Sequence, residues 1–178
     1  MQSPLGNIFL VGMMGAGKTT IGKALAKKLN RPFIDTDHEI VRRTGVTIPV
    51  IFDIEGEPGF RARERQVLEE LAQMENAVLA TGGGIVLQEA NRDTLKAHGT
   101  VIYLRAHPDD LWRRTRNDRN RPLLQAANPQ EVIRNLYGQR HPLYSEVADI
   151  IVDTADQGVQ QLTNLLIQKL ASFSAPPL

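Results

Sequence analysis

The sequence predicts an α/β domain in three layers, with a five-stranded parallel sheet covered by helices on both faces. Short apolar runs of strand length alternate with segments in which apolar residues recur every three or four positions, the pattern of parallel strands joined by helical crossovers. The chain has 178 residues, 42% of them hydrophobic and 23% charged. These values are typical of one globular domain with a substantial core.

The predicted elements follow this alternation along the chain. Strands are expected at residues 8–11, 32–36, 77–81, 100–104 and 148–152. Helices are expected to begin near Lys18, Thr36, Pro58, Gln88, Pro108, Pro129 and Asp156, several of them with a proline in the first turn. The domain is expected to span residues 1–172. Residues 173–178, which are rich in proline and small side chains, are expected to form a disordered tail.

Composition argues against several classes of protein. A formal net charge of +1 gives no overall field that would attract nucleic acid or an anionic membrane. The chain contains 0 Cys, so it has neither disulfides nor thiolate metal ligands. The opening residues do not resemble a signal peptide, and the apolar runs are too short to span a bilayer. We therefore expect a cytoplasmic protein that binds neither nucleic acid nor membranes.

A complete phosphate-binding motif follows the first predicted strand. Residues 12–19 read G-M-M-G-A-G-K-T, which matches G-x-x-x-x-G-K-[ST] between a strand and a helix. Its glycines allow a tight turn whose N–H groups point at phosphate oxygens, next to the positive end of the helix. Lys18 can reach the β and γ phosphates, and Thr19 can offer its hydroxyl to Mg²⁺. The motif predicts a P-loop NTPase fold and a nucleoside triphosphate ligand.

Two further segments lie directly after predicted strands, at the edge where such sheets bind ligands. Asp35 and Asp37 flank one residue, so both carboxylates would point to one side if the backbone stays extended; a helix N-cap is the alternative interpretation. Residues 82–84 are three consecutive glycines, which indicate either close approach of the backbone or unusual dihedral angles. A plain turn is the alternative there. The predicted strand at residues 77–81 does not end in the carboxylate that often binds Mg²⁺ in such folds. Asp35 is the nearest replacement for that carboxylate.

Arginines form two more candidate sites. Arg61 and Glu64 lie one helical turn apart, so Glu64 can orient the guanidinium for a bidentate grip on a carboxylate; an exposed ion pair is the alternative. Residues 113–121 contain five arginines without interleaved aromatic residues. This pattern favours a mobile lid over a triphosphate rather than a nucleic-acid surface or a solvated face. Arg140, in the segment R-H-P-L-Y, is a further candidate anion clamp.

Taken in order, the motifs G-x-x-x-x-G-K-T, D-T-D, G-E-x-x-F-R-x-x-E, T-G-G-G, R-P-L-L and R-x-P-L-Y resemble those of shikimate kinases, from about residue 7 to residue 170. The resemblance implies a fold like that of nucleoside monophosphate kinases, a lid at about 113–125 and a substrate-binding segment at about 37–64. It implies that Thr19 binds Mg²⁺ directly and Asp35 through water. Arg121 would contact the β and γ phosphates, and Arg114 and Gln157 would lie near adenine. The residues that would cradle ATP phosphates are Gly15, Ala16, Gly17, Lys18, Thr19 and Thr20.

The same resemblance implies an acceptor site and a reaction. Arg61 and Arg140 would hold the carboxylate of shikimate, and Asp37 would bind its hydroxyls. Backbone N–H groups facing the ring hydroxyls would come from Gly82, Gly83 and Gly84. The implied activity is transfer of a phosphoryl group from ATP to the 3-hydroxyl of shikimate in aromatic amino acid biosynthesis, with Lys18, Asp37 and Arg121 as catalytic residues.

Three other functions are compatible with parts of this sequence. A gluconate kinase or a nucleoside monophosphate kinase would share the phosphate loop and the lid, but would not require the other motifs together. A nucleotide-binding regulator without activity is the non-enzymatic alternative. The expected small-molecule partners are ATP and shikimate, and the chain is expected to be a monomer.

Overall fold

The computed structural model describes residues 5–155 and 157–175. Within these residues, five parallel strands form one sheet in the order β2-β3-β1-β4-β5. The strands are β1 (Asn7–Val11), β2 (Phe33–Asp35), β3 (Val78–Ala80), β4 (Gly99–Arg105) and β5 (Ile150–Asp153). The predicted sheet is confirmed, with strand ends shifted by one or two residues.

The helices are α1 (Lys18–Leu29), α2 (Thr36–Thr44), α3 (Ile48–Leu71), α4 (Glu89–His98), α5 (Pro108–Thr115), α6 (Pro129–Val147) and α7 (Val159–Ser174). Single 3-10 turns cover Ile85–Leu87 and Pro122–Leu124. The last helix begins at Val159, and its expected start, Asp156, lies outside the described residues. Helix α7 continues to Ser174, and residues 176–178 of the expected tail are also outside the described residues. In the described part of the chain, no helix is long and apolar enough to cross a membrane.

Strand β1 lies at the centre of the sheet because its side chains are apolar on both faces. Ile8, Phe9, Leu10 and Val11 are fully buried, as expected for a parallel strand covered on both sides. Asn7, the polar residue of this strand, is buried and bonded to the chain before β3: its amide donates to Met74 O at 2.7 Å and its oxygen accepts from Ala77 N at 3.0 Å. The side chain therefore fixes where β3 enters the sheet.

Helix α3 departs from the prediction. The expected start near Pro58 is wrong for the whole element, because helical turns already begin at Ile48. Gly56 interrupts the helix with φ 71° and ψ 177°, a left-handed φ that glycine adopts at little cost. Pro58 then opens the second part, where its missing N–H is tolerated. The bend lets one element line the site with its first half and supply Arg61 from its second.

Candidate active site

The phosphate loop has the backbone that its glycines predict. Gly12, Gly15 and Gly17 have φ of 147°, 82° and 99°, values that other L-residues rarely adopt. A Cβ at Gly12 would lie 2.6 Å from the carbonyl oxygen of Leu104 on the neighbouring strand. Both the dihedral angles and the space therefore require glycine, and the loop delivers its N–H groups to the N-terminus of α1.

Lys18 is held inside this loop. Its ammonium donates to Gly12 O at 2.5 Å and to Met13 O at 2.9 Å. Burial, reinforced by repulsion from Arg121, lowers the pKa of Lys18 to about 7, while attraction to Asp37 opposes the shift. A bound polyphosphate would supply the negative charge that restores the protonated form.

Asp35 connects the phosphate loop to helix α2. One carboxylate oxygen caps the helix, accepting from Asp37 N at 2.9 Å and from His38 N at 3.1 Å. The other oxygen accepts from the Thr19 hydroxyl at 2.5 Å. The chain turns helical at Thr36, where a helix was predicted to begin, and this geometry matches the N-cap interpretation of Asp35. Asp35 is both a helix cap and a partner of Thr19.

Asp37 points from the first turn of α2 towards the triglycine segment, residues 82–84. A Cβ at Gly82 would lie 2.8 Å from Asp37 Oδ1 and 2.7 Å from Glu64 Oε2. Among the described residues, neither of these buried oxygens has a hydrogen-bond partner. Burial raises the pKa of Asp37, with repulsion from Asp35 as the second cause. Two carboxylates thus converge on one glycine and retain free acceptor atoms.

Two arginines approach the other glycines of the segment. A Cβ at Gly83 would lie 3.2 Å from Arg140 Nη1, and one at Gly84 would overlap the guanidinium of Arg61. The three glycines do not have positive φ. They are needed because charged side chains pack against the bare backbone, which is the close approach that the sequence suggested. The N–H of Gly82 donates to Thr36 Oγ1 at 3.2 Å, so this one of the three N–H groups expected to face a ligand is already engaged.

Carboxylates fix the guanidinium of Arg61. It donates to Glu64 Oε1 at 3.0 Å and to Glu57 Oε1 at 3.2 Å, and it lies 5.3 Å from the centre of the Phe60 ring. Arg61 is 9% exposed and Glu64 is 1% exposed, so the alternative of a solvent-exposed ion pair is wrong. Arg140 is 2% exposed, and its Nε has no partner within the described residues. Together, the guanidiniums of Arg61 and Arg140 offer a buried, oriented positive site for a small carboxylate.

The buried Glu64 should make stability depend on pH. Burial raises its pKa to about 7, partly opposed by Arg61 and Arg140 and reinforced by Asp37. The folded chain therefore holds this proton where the unfolded chain has lost it, and its contribution to stability is lost as pH rises from about 4.5 to about 7. As pH rises from about 4.5 to about 7, we expect the free energy of unfolding of Glu64→Gln to increase by about 3 kcal/mol relative to that of the parent. Chemical unfolding without ligands measures this difference.

The matched control for this pH effect is Glu69→Gln. Glu69 lies on the same helix but is exposed, in an ion pair with Arg65. Its substitution should leave the pH profile of stability unchanged. Parallel profiles for the parent and Glu64→Gln would contradict the assignment of this proton to Glu64.

The segment expected to form the lid, residues 113–125, begins in the last turn of α5. Arg121 donates to Asp118 Oδ2 at 3.1 Å and faces the phosphate loop from this segment. Arg114 donates to the carbonyl of Gly15 at 3.1 Å. Gln157 donates to the carbonyl of Asp153 at 3.0 Å. Arg121 and Arg114 are thus placed around the phosphate loop.

Two adjoining cavities connect these groups. A cavity of about 540 Å³ contains the phosphate loop, Lys18, Thr19 and Asp35. A smaller one, of about 60 Å³, contains Arg61, Glu64, Arg140 and the triglycine segment. Residues that line both include Met14, Asp37, Ile48, Gly82, Gly83, Asn120 and Arg121. The arrangement can hold a polyphosphate and a small acid side by side, with Asp37 and Arg121 at the junction.

Three residues at or beside the smaller cavity received no individual role from the sequence. Ile48 and Phe52, in the first half of α3, line the smaller cavity. Their helical spacing and the proline at position 49 were the signals that could have revealed this half of the helix. Tyr144, whose hydroxyl donates to the carbonyl of Gly83, is part of the R-x-P-L-Y motif but was given no role.

Comparisons with known proteins agree with this geometry. The family model described as shikimate kinase matches residues 14–171. A shikimate kinase of Thiobacillus denitrificans is 59% identical over 164 residues, 92% of this chain and 90% of the relative. One from Burkholderia lata is 55% identical over 179 residues, 99% of this chain and 97% of the relative.

A solved structure gives the same result in three dimensions. The shikimate kinase from Acinetobacter baumannii in complex with shikimate superimposes with a TM-score of 0.93 at 50% identity, covering 94% of each chain. A family match over most of the chain, together with identity above 50% over nearly its full length, leaves no doubt about kinship. This chain belongs to the shikimate kinase family.

Proposed function

We propose that this chain transfers the γ-phosphoryl group of ATP to the 3-hydroxyl of shikimate, giving shikimate 3-phosphate and ADP. The observation that carries the proposal is the junction of two cavities, one built on a phosphate loop and the other on two buried arginines. Membership of the family supports the identity of the acceptor.

The donor site would be the phosphate loop. Gly15 to Thr20 would bind the phosphates through backbone N–H groups, and Lys18 would contact the β and γ phosphates. Arg121 would close over them from the lid, neutralising charge and excluding water. We place Arg114 and Gln157 near the adenine, on the side of the loop where Arg114 contacts Gly15.

The acceptor would bind in the smaller cavity. The guanidiniums of Arg61 and Arg140 would hold its carboxylate, and Asp37 would accept hydrogen bonds from its hydroxyls. The N–H groups of Gly83 and Gly84 would donate hydrogen bonds to the acceptor in the same cavity. A carboxylate at one end and hydroxyls at the other would fix a rigid ring in one orientation, so that the 3-hydroxyl faces the γ-phosphate.

In the reaction, a bond forms between the acceptor oxygen and the γ-phosphorus while the bond to the β-γ bridging oxygen breaks. Asp37 would orient the hydroxyl and take its proton, and a loose transition state requires only modest basicity from it. Burial, which raises the pKa of Asp37, makes its carboxylate a better proton acceptor. Lys18 and Arg121 would stabilise the charge that develops on the phosphoryl oxygens.

Thr19 and Asp35 fit a Mg²⁺ ion. A hydroxyl and a carboxylate, already paired at 2.5 Å beside Lys18, are hard oxygen ligands of the kind that Mg²⁺ prefers, and Mg²⁺ needs few protein ligands when phosphates are present. Thr19 would bind it directly and Asp35 through water. Bound there, the ion would neutralise phosphate charge.

The role of Asp35 can be tested separately from folding. In Asp35→Asn the side-chain oxygen still caps α2, so the melting temperature should stay within a few degrees of the parent. The lost negative charge should raise the Mg²⁺ concentration needed for half-maximal activity roughly tenfold, as for other groups that orient metal-bound water. A magnesium titration of activity at saturating ATP and shikimate measures this. An unchanged requirement would contradict the assignment.

An ADP-release assay with shikimate, gluconate and AMP offered separately tests the function. We expect ADP release with shikimate and at most background rates with the other two. Preference for gluconate or AMP would favour another kinase of the same fold. Nucleotide binding without any acceptor-dependent ADP release would favour a regulator.

We further propose that the enzyme acts as a cytoplasmic monomer on small molecules, without nucleic acid or membrane partners. The absence of cysteine and the nearly balanced charge support this setting. A single species of about 20 kDa in size-exclusion chromatography with light scattering is the expected result, given a mass of 19.8 kDa.

A further inference from the structure

The hydroxyl of Tyr144 contacts the backbone of the active site. Tyr144 is fully buried on α6, one turn after Arg140, and its hydroxyl donates to the carbonyl oxygen of Gly83. Burial raises the pKa of this phenol well above its ordinary value, so it remains a neutral donor. The nearby positive charge of Arg140, on the same helix, opposes this shift.

Gly83 lies between the two halves of the site. A Cβ there would lie 3.2 Å from Arg140 Nη1, 3.5 Å from Met14 N and 3.7 Å from Gly12 O, so Gly83 lies close to both Arg140 and the phosphate loop. A rotation of the peptide after Gly83 would therefore disturb the acceptor cavity at its boundary with the donor site.

This peptide is unusually free to rotate. It joins Gly83 to Gly84, and neither residue has a side chain to restrict its dihedral angles. In a planar trans peptide, the carbonyl and the following N–H point in opposite directions. Fixing the carbonyl of Gly83 towards α6 therefore fixes the N–H of Gly84 away from it. Within the described residues this N–H has no acceptor, so it is available to a ligand.

We propose that the Tyr144 hydroxyl is a positioning group for the acceptor, locking the Gly83–Gly84 peptide so that the N–H of Gly84 faces the substrate and Arg140 keeps its orientation. This inference rests on the proposed function, because the acceptor is the shikimate of that proposal. Tyr144 itself does not touch the reacting atoms; it acts through the peptide and through Arg140.

The test is the Tyr144→Phe variant, which removes one hydroxyl and keeps the ring packed on Tyr103. We expect KM for shikimate to rise roughly tenfold, the factor of one ordinary hydrogen bond, while KM for ATP changes less than twofold. The control is Tyr103→Phe: this hydroxyl is bonded to His141 at 2.9 Å in the same aromatic cluster, and the two tyrosine rings are 5.0 Å apart. It should leave both KM values unchanged.

The outcomes separate this inference from the proposed function. If the parent chain releases no ADP with shikimate, the proposed function fails first. If the parent is active and Tyr144→Phe keeps the parent KM for shikimate, the positioning role is overturned. Equal increases of both KM values, or equal effects of both tyrosine variants, would indicate general loosening of the fold and would also overturn it.

Discussion

Replacing Asp37 with asparagine should lower kcat for shikimate phosphorylation by roughly 10²–10⁴-fold, the range that a positioned acid or base contributes. The amide can still bind a hydroxyl, but it cannot take the proton, and it removes the negative charge beside Lys18. Nucleotide affinity should change little, because the phosphate loop binds through its backbone. Steady-state kinetics and an ADP titration measure the two effects.

Folding should not confound this experiment. Asp37 Oδ1 is buried without a partner among the described residues, so a neutral amide relieves a desolvated charge and the melting temperature should not fall. Asp93→Asn, an exposed substitution on α4, serves as the control and should be silent. A correctly folded Asp37→Asn enzyme with the parent rate would exclude the catalytic role.

Replacing Arg61 with lysine should raise KM for shikimate roughly 10–100-fold, as expected for loss of a charge-assisted hydrogen bond. Glu64 and Glu57 hold the guanidinium by separate nitrogens, which leaves its fork oriented for a carboxylate. An ammonium keeps the charge but cannot satisfy both glutamates and present two parallel N–H groups. Kinetics at varied shikimate, with KM for ATP as the internal reference, measure the effect.

Arg63→Lys is the matched control for Arg61. Arg63 lies two residues further along α3, where it pairs with Glu55 at 2.6 Å on the exposed surface. Its substitution should change KM for shikimate less than twofold. Similar KM values for Arg61→Lys and the parent would remove Arg61 from the carboxylate site and leave that role to Arg140.

The fold was predictable because its signals are local. The apolar pattern of β1 and the helical spacing of α1 identify a buried strand and its crossover, and the phosphate loop between them needs glycine at positions of positive φ. The first half of α3 was missed because Gly56 and Pro58 read as a helix start, although the chain is already helical before them. In α3, packing of the helical turns on both sides of the bend at Gly56 overrides the local sequence signal for a helix start.

The sequence predicted which residues belong to the site, but not how they are arranged. Motif order named Asp37, Arg61 and Arg140, but it left open whether Asp35 and Asp37 lie on extended backbone or at a helix N-cap, and capping by Asp35 decides for the helix. The reason for three consecutive glycines was also left open by the sequence. The structure supplies it, as charged side chains from α2, α3 and α6 pack directly on that backbone.

The sequence by itself determined the phosphate loop and the family, because both depend on residue types at fixed short spacings. Tertiary structure alone decided how the acceptor pocket is assembled: Arg61 and Arg140 are 79 positions apart (140 − 61), and they meet only because α3 and α6 pack around the chain after β3. Burial of those charges, the free oxygen of Asp37 and the contact of Tyr144 with Gly83 follow from that packing. The strength of these charge interactions and hydrogen bonds depends on the exclusion of water. Only a packed tertiary structure excludes water, and a short segment of chain does not.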